Sequence, residues 1–166
     1  MLKKLILLLF VIAPVTIFAQ EKTAFIDANE IFMKMPELKE VETKLAAKSE
    51  TIQQRATAIQ TEYQTKLEQF STDTTAVTQS ILLDRQGELE TLEKRYQEFI
   101  QNSQAEFERE QQALIAPVRQ KMMQAIKDVG DENNYTYILD AQHLLYVGTS
   151  AVNASKLVKT KLGIVD

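Results

Sequence analysis

From Leu38 to Val129 the chain runs for more than half its length with one glycine, Gly87, and one proline, Pro117. The stretch is rich in Glu, Gln, Lys, Arg, Ala and Leu. These side chains lose little rotamer freedom in a helix. The run is interrupted once, at Ser71-Thr72-Asp73-Thr74-Thr75-Ala76-Val77-Thr78. Short polar and β-branched side chains crowd there and compete for backbone hydrogen bonds. Two long antiparallel helices follow as the expectation, residues 37–130, with a tip near 71–79.

Apolar spacing supports this. Leu38, Leu45, Ile52 and Ile59 recur every seventh residue, and Ala56, Tyr63 and Phe70 follow four behind. Beyond the tip the pattern resumes through Leu82, Leu89, Leu92, Tyr96, Phe99 and Ile100 to Phe107, Leu114, Val118, Met122, Ile126 and Val129. This is a narrow seam of the coiled-coil kind. Glu42, Ser49, Lys66, Ser103 and Glu110 or Gln111 fall at or beside seam positions. The two arms are therefore expected not to be sealed along their length. Pro36 disfavours helix at Met35, and Pro117 removes one backbone bond inside the second helix. Both read as hinges near the root of the arms.

The two ends of the chain read as one small body, residues 20–36 and 131–166. Lys22–Asp27 is a strand, and Asp27 with Glu30 three residues on forms an N-cap for a helix over Ala28–Lys34. Tyr135–Leu139 reads as a second strand and Leu144–Val147 as a third, with a turn between. A last helix runs from Ser155, its expected N-cap, to Leu162. The fold class is α+β, mostly α, with a helical hairpin inserted between the strands. Three short strands leave open edges and an apolar face, so the body is expected to self-associate. Phe25, Ile26, Tyr137, Ile138, Leu139, Tyr146 and Val147 are the candidates for that contact.

Residues 1–19 read as a secretory signal peptide. Lys3-Lys4 precede an apolar core, Leu5–Ala13, too short to span a bilayer comfortably. The cut is expected between Ala19 and Gln20. The mature chain then keeps no stable membrane anchor and works outside the cytoplasm, where there is no ATP. Removing Lys3 and Lys4 leaves 17 basic and 23 acidic side chains, a net charge of −6. Phosphate binding needs a concentrated basic surface, so nucleic acid is not an expected partner. The absence of cysteine excludes a disulfide framework and a thiolate site. The single histidine, His143, lies in a turn, and no phosphate loop, nucleophile elbow or zinc motif occurs. Neither an enzyme nor a cofactor is expected.

With this order of elements the chain resembles the Skp/OmpH family of periplasmic chaperones. The resemblance rests on Ala24-Phe25-Ile26-Asp27, the joint at Pro36-Glu37, and the return segment from Pro117-Val118 through Met122, Ala125-Ile126 and Val129. It continues through Tyr135 and Ile138-Leu139-Asp140-Ala141 to Lys156-Leu157-Val158-Lys159 and Leu162-Gly163. It implies a periplasmic homotrimer in which strands of three subunits form a barrel body and three arms enclose a cavity. Unfolded outer-membrane β-barrel proteins are held there without ATP. The best-known members are basic, whereas this chain is acidic, so a lipopolysaccharide site is not carried over.

On that reading Ile59, Tyr63, Phe70, Ile81, Leu82, Tyr96 and Phe99 are candidate client-binding residues of the distal arms. Taken singly, each reads first as a side chain that holds the two helices together. The alternative function is a structural coiled-coil adaptor or spacer of the cell envelope with one specific folded partner. It would require a continuous, well-filled seam.

Overall fold

The computed structural model describes residues 21–73 and 77–164. The expected signal peptide and its cut at Ala19–Gln20 lie outside the described residues, as does the centre of the tip. The chain opens with strand β1 (Thr23–Ile26) and short helix α1 (Ala28–Met33). The long helices α2 (Pro36–Thr72) and α3 (Gln79–Asn133) follow. Strand β2 (Tyr137–Asp140), a 3-10 turn over Ala141–His143, strand β3 (Val152–Asn153) and helix α4 (Ser155–Lys161) complete it. Among the described residues no helix is long and apolar enough to cross a membrane.

Local chemistry sets each boundary. The Asp27 side chain accepts the backbone N–H of Glu30 at 2.8 Å, the expected N-cap of α1. Met35 is extended, with ψ 127°, as the residue before proline must be, and Pro36 then starts α2. At 37 residues, α2 is about 55 Å long. Thr78 caps α3 by accepting the N–H of Ile81. Helix α3 runs on through Pro117 and stops at Asn134, whose φ of 54° is left-handed. There Tyr135 N–H donates to Gly130 O at 3.0 Å and Asn134 N–H to Asp131 O at 3.3 Å. This pair of bonds satisfies the last carbonyls of the helix.

The sheet has the order β2-β1-β3, and both pairings are parallel. Phe25 aligns with Leu139 on one side and with Asn153 on the other. The third strand departs from the expectation. Leu144–Val147 is not a strand; Leu145 and Tyr146 are almost fully exposed, at 106% and 84%. The segment has the composition of a strand, yet β-propensity reflects packing against neighbouring strands, which the exposed Leu145 and Tyr146 lack. The free edge of β1 is occupied instead by Val152–Asn153, and Ala154 N–H extends the pairing to Phe25 O at 2.9 Å.

One core closes the body and the root of the arms. Ala24 and Ile26 from β1, Ile31, Met35, Val41, Val118, Met122, Ala125, Val129, Ala154, Val158 and Leu162 are buried together. Ile31 and Val158 are fully covered. Lys159, also buried, places its ammonium 3.1 Å from Glu30 Oε1, so its charge is not left unpaired. Ser155 differs from its expected role as a cap. Its hydroxyl accepts the Asp27 N–H at 3.1 Å, while Asn153 Oδ1 accepts the Ser155 N–H at 2.9 Å. Asparagine can reach the N–H two residues on, so it takes the local bond and frees the serine for a distant one.

Candidate functional site

The arms extend well beyond the body core, and their seam is discontinuous. Near the root, Leu38, Val41, Leu45, Leu114 and Val118 pack together. Glu37 and Lys121 form an ion pair across this root, and Lys121 holds the Glu37 carboxyl below its usual range. Further out, serines replace the apolar pair. Ser49 and the buried Ser103 lie with Ile52, Ile100 and Phe107 around a cleft of 230 Å³. Lys48 bridges the arms here, 2.6 Å from Glu106 and 3.3 Å from Glu110. These bonds raise the Lys48 pKa, the contact with Glu106 foremost, and lower that of Glu106.

Beyond this gap, Ile59 of α2 and Leu92 of α3 restore an apolar contact, each 6% exposed. A cleft opens on each side of it. One, of 480 Å³, is bounded by Tyr63 and Tyr96 and rimmed by Gln60, Gln64, Gln97 and Glu93. The other, of 330 Å³, is bounded by Ala58 and Phe99 and rimmed by Arg55, Arg95 and Glu62. Tyr63 Oη donates to Glu93 Oε1 at 3.0 Å, and Arg95 pairs with Glu62 at 3.1 Å. Both bonds cross from one arm to the other, so polar groups hold the arms at a spacing that leaves the clefts open.

At the tip, Arg85 ties the two helices together, a role that no local sequence pattern marks. Its guanidinium donates to Phe70 O at 3.2 Å, to Asp73 O at 2.9 Å and to Asp73 Oδ2 at 2.7 Å. It satisfies carbonyls at the end of α2, where a cation is favoured, and lies 5.2 Å from the Phe70 ring centroid. An arginine two turns into the returning helix was the available signal.

The candidate side chains separate into three environments. Ile59 lies between the arms and is buried there. Tyr63, Phe70, Tyr96 and Phe99 are half-buried beside it or nearer the tip. Ile81 and Leu82 are exposed, together with Leu67 and Leu83, which the seam pattern did not single out. On the body, Ile26 is buried and Ile138 is packed against the core of its own chain. Tyr137 and Leu139 alternate with Ile138 on β2 and are exposed, on the face shared with half-buried Phe25. Tyr146 and Val147 are exposed in the segment before β3. Of the expected hinges, Pro36 begins α2, and Pro117 lies beside the Glu37–Lys121 pair in a cleft with Val41, Leu114 and Val118.

The architecture is shared. A solved structure from Caulobacter crescentus CB15, described as an OmpH-like candidate outer membrane chaperone, superposes with a TM-score of 0.76 at 17% identity. The match covers 87% of this chain and 85% of that one. No curated protein sequence matches the chain. The family model for outer membrane protein (OmpH-like) matches residues 22–162, nearly the whole described length. The chain belongs to the OmpH-like outer membrane protein family.

Proposed function

We propose that this protein is an ATP-independent holdase of the periplasm that binds unfolded outer-membrane proteins and keeps them from aggregating before assembly. The observation that carries the reading is the interrupted seam of the arms. Serine and lysine stand where a tight hairpin would have apolar side chains, and two clefts with apolar lining share Ile59. Exposed Leu67, Ile81, Leu82 and Leu83 add dispersed apolar contacts toward the tip. Unfolded strands lose burial worth roughly 25 cal/mol per Å² when left in water. Shallow, scattered apolar spots recover part of that without demanding one geometry. Family membership and the resemblance to an OmpH-like candidate chaperone support the same reading.

The functional unit in this proposal is a homotrimer. The outer face of the sheet carries exposed Tyr137 and Leu139 beside half-buried Phe25, and β2 and β3 are open edges. Self-association would pair those edges and cover that face. The number three comes from the resemblance. A native pull-down from envelope extract separates this proposal from an adaptor role. A mixture of unfolded outer-membrane proteins supports the holdase. One stoichiometric folded partner overturns it.

A further inference from the structure

The two clefts beside Ile59 are unlike in charge. The smaller carries two guanidiniums and one carboxylate, from Arg55, Arg95 and Glu62. The larger has Glu93 as its one charged group, with three neutral amides. Tyr63 Oη holds Glu93 at the cleft through Oε1, and Oε2 accepts no hydrogen bond among the described residues. The surroundings reinforce this sign. Residues 55–105 carry five basic and eight acidic side chains. Lys66, Arg85, Lys94 and Arg95 are each already paired with a carboxylate, whereas Glu68, Asp84, Glu90 and Glu93 make no ion pair among the described residues.

We infer that the larger cleft is a subsite for one aromatic or large aliphatic side chain of an extended, unfolded polypeptide, with lysine or arginine flanking that residue. The inference rests on the holdase reading and names the chemistry of its client. Ile59 and Leu92, both buried, form an apolar floor, and Tyr63 and Tyr96 form walls able to stack against an inserted ring. A volume of 480 Å³ falls within the range of about 300–1,000 Å³ typical of sites that bury a ligand. Gln60, Gln64 and Gln97 are exposed at the rim and offer both donors and acceptors. They can meet the N–H and C=O groups of an extended backbone whatever its sequence. The Glu93 carboxylate then selects a cation beside the inserted residue and disfavours an acidic neighbour.

The test uses the mature protein and labelled Gly/Ser peptides that carry one central Phe, flanked by Lys in one peptide and Glu in the other. Fluorescence anisotropy reads the affinities. The Lys-flanked peptide is expected to bind roughly threefold tighter or better, the scale of exposed ion pairs. Replacing its Phe by Ser should abolish binding. Glu93→Gln should remove the preference for Lys while leaving the need for Phe. Gln64→Trp, at an exposed rim position, should fill the cleft and weaken both peptides, with helicity checked by circular dichroism. Equal affinity for the two peptides overturns the inference, as does a Lys preference that survives Glu93→Gln. The holdase reading is separated by measuring aggregation of a denatured β-barrel protein in parallel. Suppressed aggregation without peptide selectivity removes the subsite alone. Peptide selectivity without suppression removes the holdase and with it the client identity.

Discussion

The backbone N–H of Asp27 donates to Ser155 Oγ at 3.1 Å across 128 residues of sequence. It joins the end of β1 to the start of α4, so the first and last elements of the body share one bond. Ser155→Ala should leave the Asp27 N–H without its acceptor in a part-buried site. The expected loss is about 1–3 kcal/mol of stability. Chemical denaturation of the two proteins measures it, and equal midpoints would show that the bond contributes nothing net.

The arms should respond to acid. Lys48, donating to Glu106, holds that carboxyl below its usual 4.5. A depressed carboxyl pKa stabilises the folded state above the unfolded pKa, and that stabilisation is lost as pH falls through the folded value. Glu37 at the root and Glu30 in the body are lowered in the same direction, by Lys121 and by Lys34 with Lys159 respectively. Below pH about 4, distances between spin labels on the two arms near Lys48 should broaden, and return on neutralisation. Lys48→Gln should abolish that pH dependence locally. An unchanged distribution down to pH about 3 would contradict the assignment.

Pro117 costs the second arm one backbone bond beside its root. Helix α3 nevertheless runs through it, so Pro117→Ala should restore the bond and stabilise the helix by up to about 3 kcal/mol. If the position acts as a hinge, the substitution should also narrow tip-to-tip distances in the proposed trimer. Greater stability with unchanged distances would assign Pro117 no hinge role.

Substitutions on alternating residues of β2 should have separable effects. Ile138 packs on the core of its own chain, whereas Leu139 is exposed on the other face. Leu139→Asp should lower the mass measured by light scattering while the arms keep their helicity, because an unpaired charge is costly inside a closed interface. Ile138→Asp should unfold the body itself. A wild-type protein that is monomeric at micromolar concentration would remove the trimer.

The arms were legible because a seven-residue repeat sustained over many turns has few alternative readings. The caps at Asp27 and the break before Pro36 were legible because each depends on neighbouring residues alone. The third strand is not legible in sequence, because Leu144–Val147 has a strand's composition, whereas Val152–Asn153 has only a place beside β1. Two paired residues leave no periodicity to detect. Ser155 was expected as a local cap, and its partner Asp27 is fixed by tertiary folding alone. In the candidate site, the polar interruptions were visible in sequence. The unlike charges of the clefts on either side of Ile59 required the pairing of α2 with α3.

The most direct test dilutes a denatured outer-membrane β-barrel protein into buffer without nucleotide and follows light scattering with and without the mature chain. The holdase account predicts that scattering falls in proportion to added protein and approaches zero once that protein is in excess. Scattering that is unchanged at several-fold molar excess would contradict the holdase.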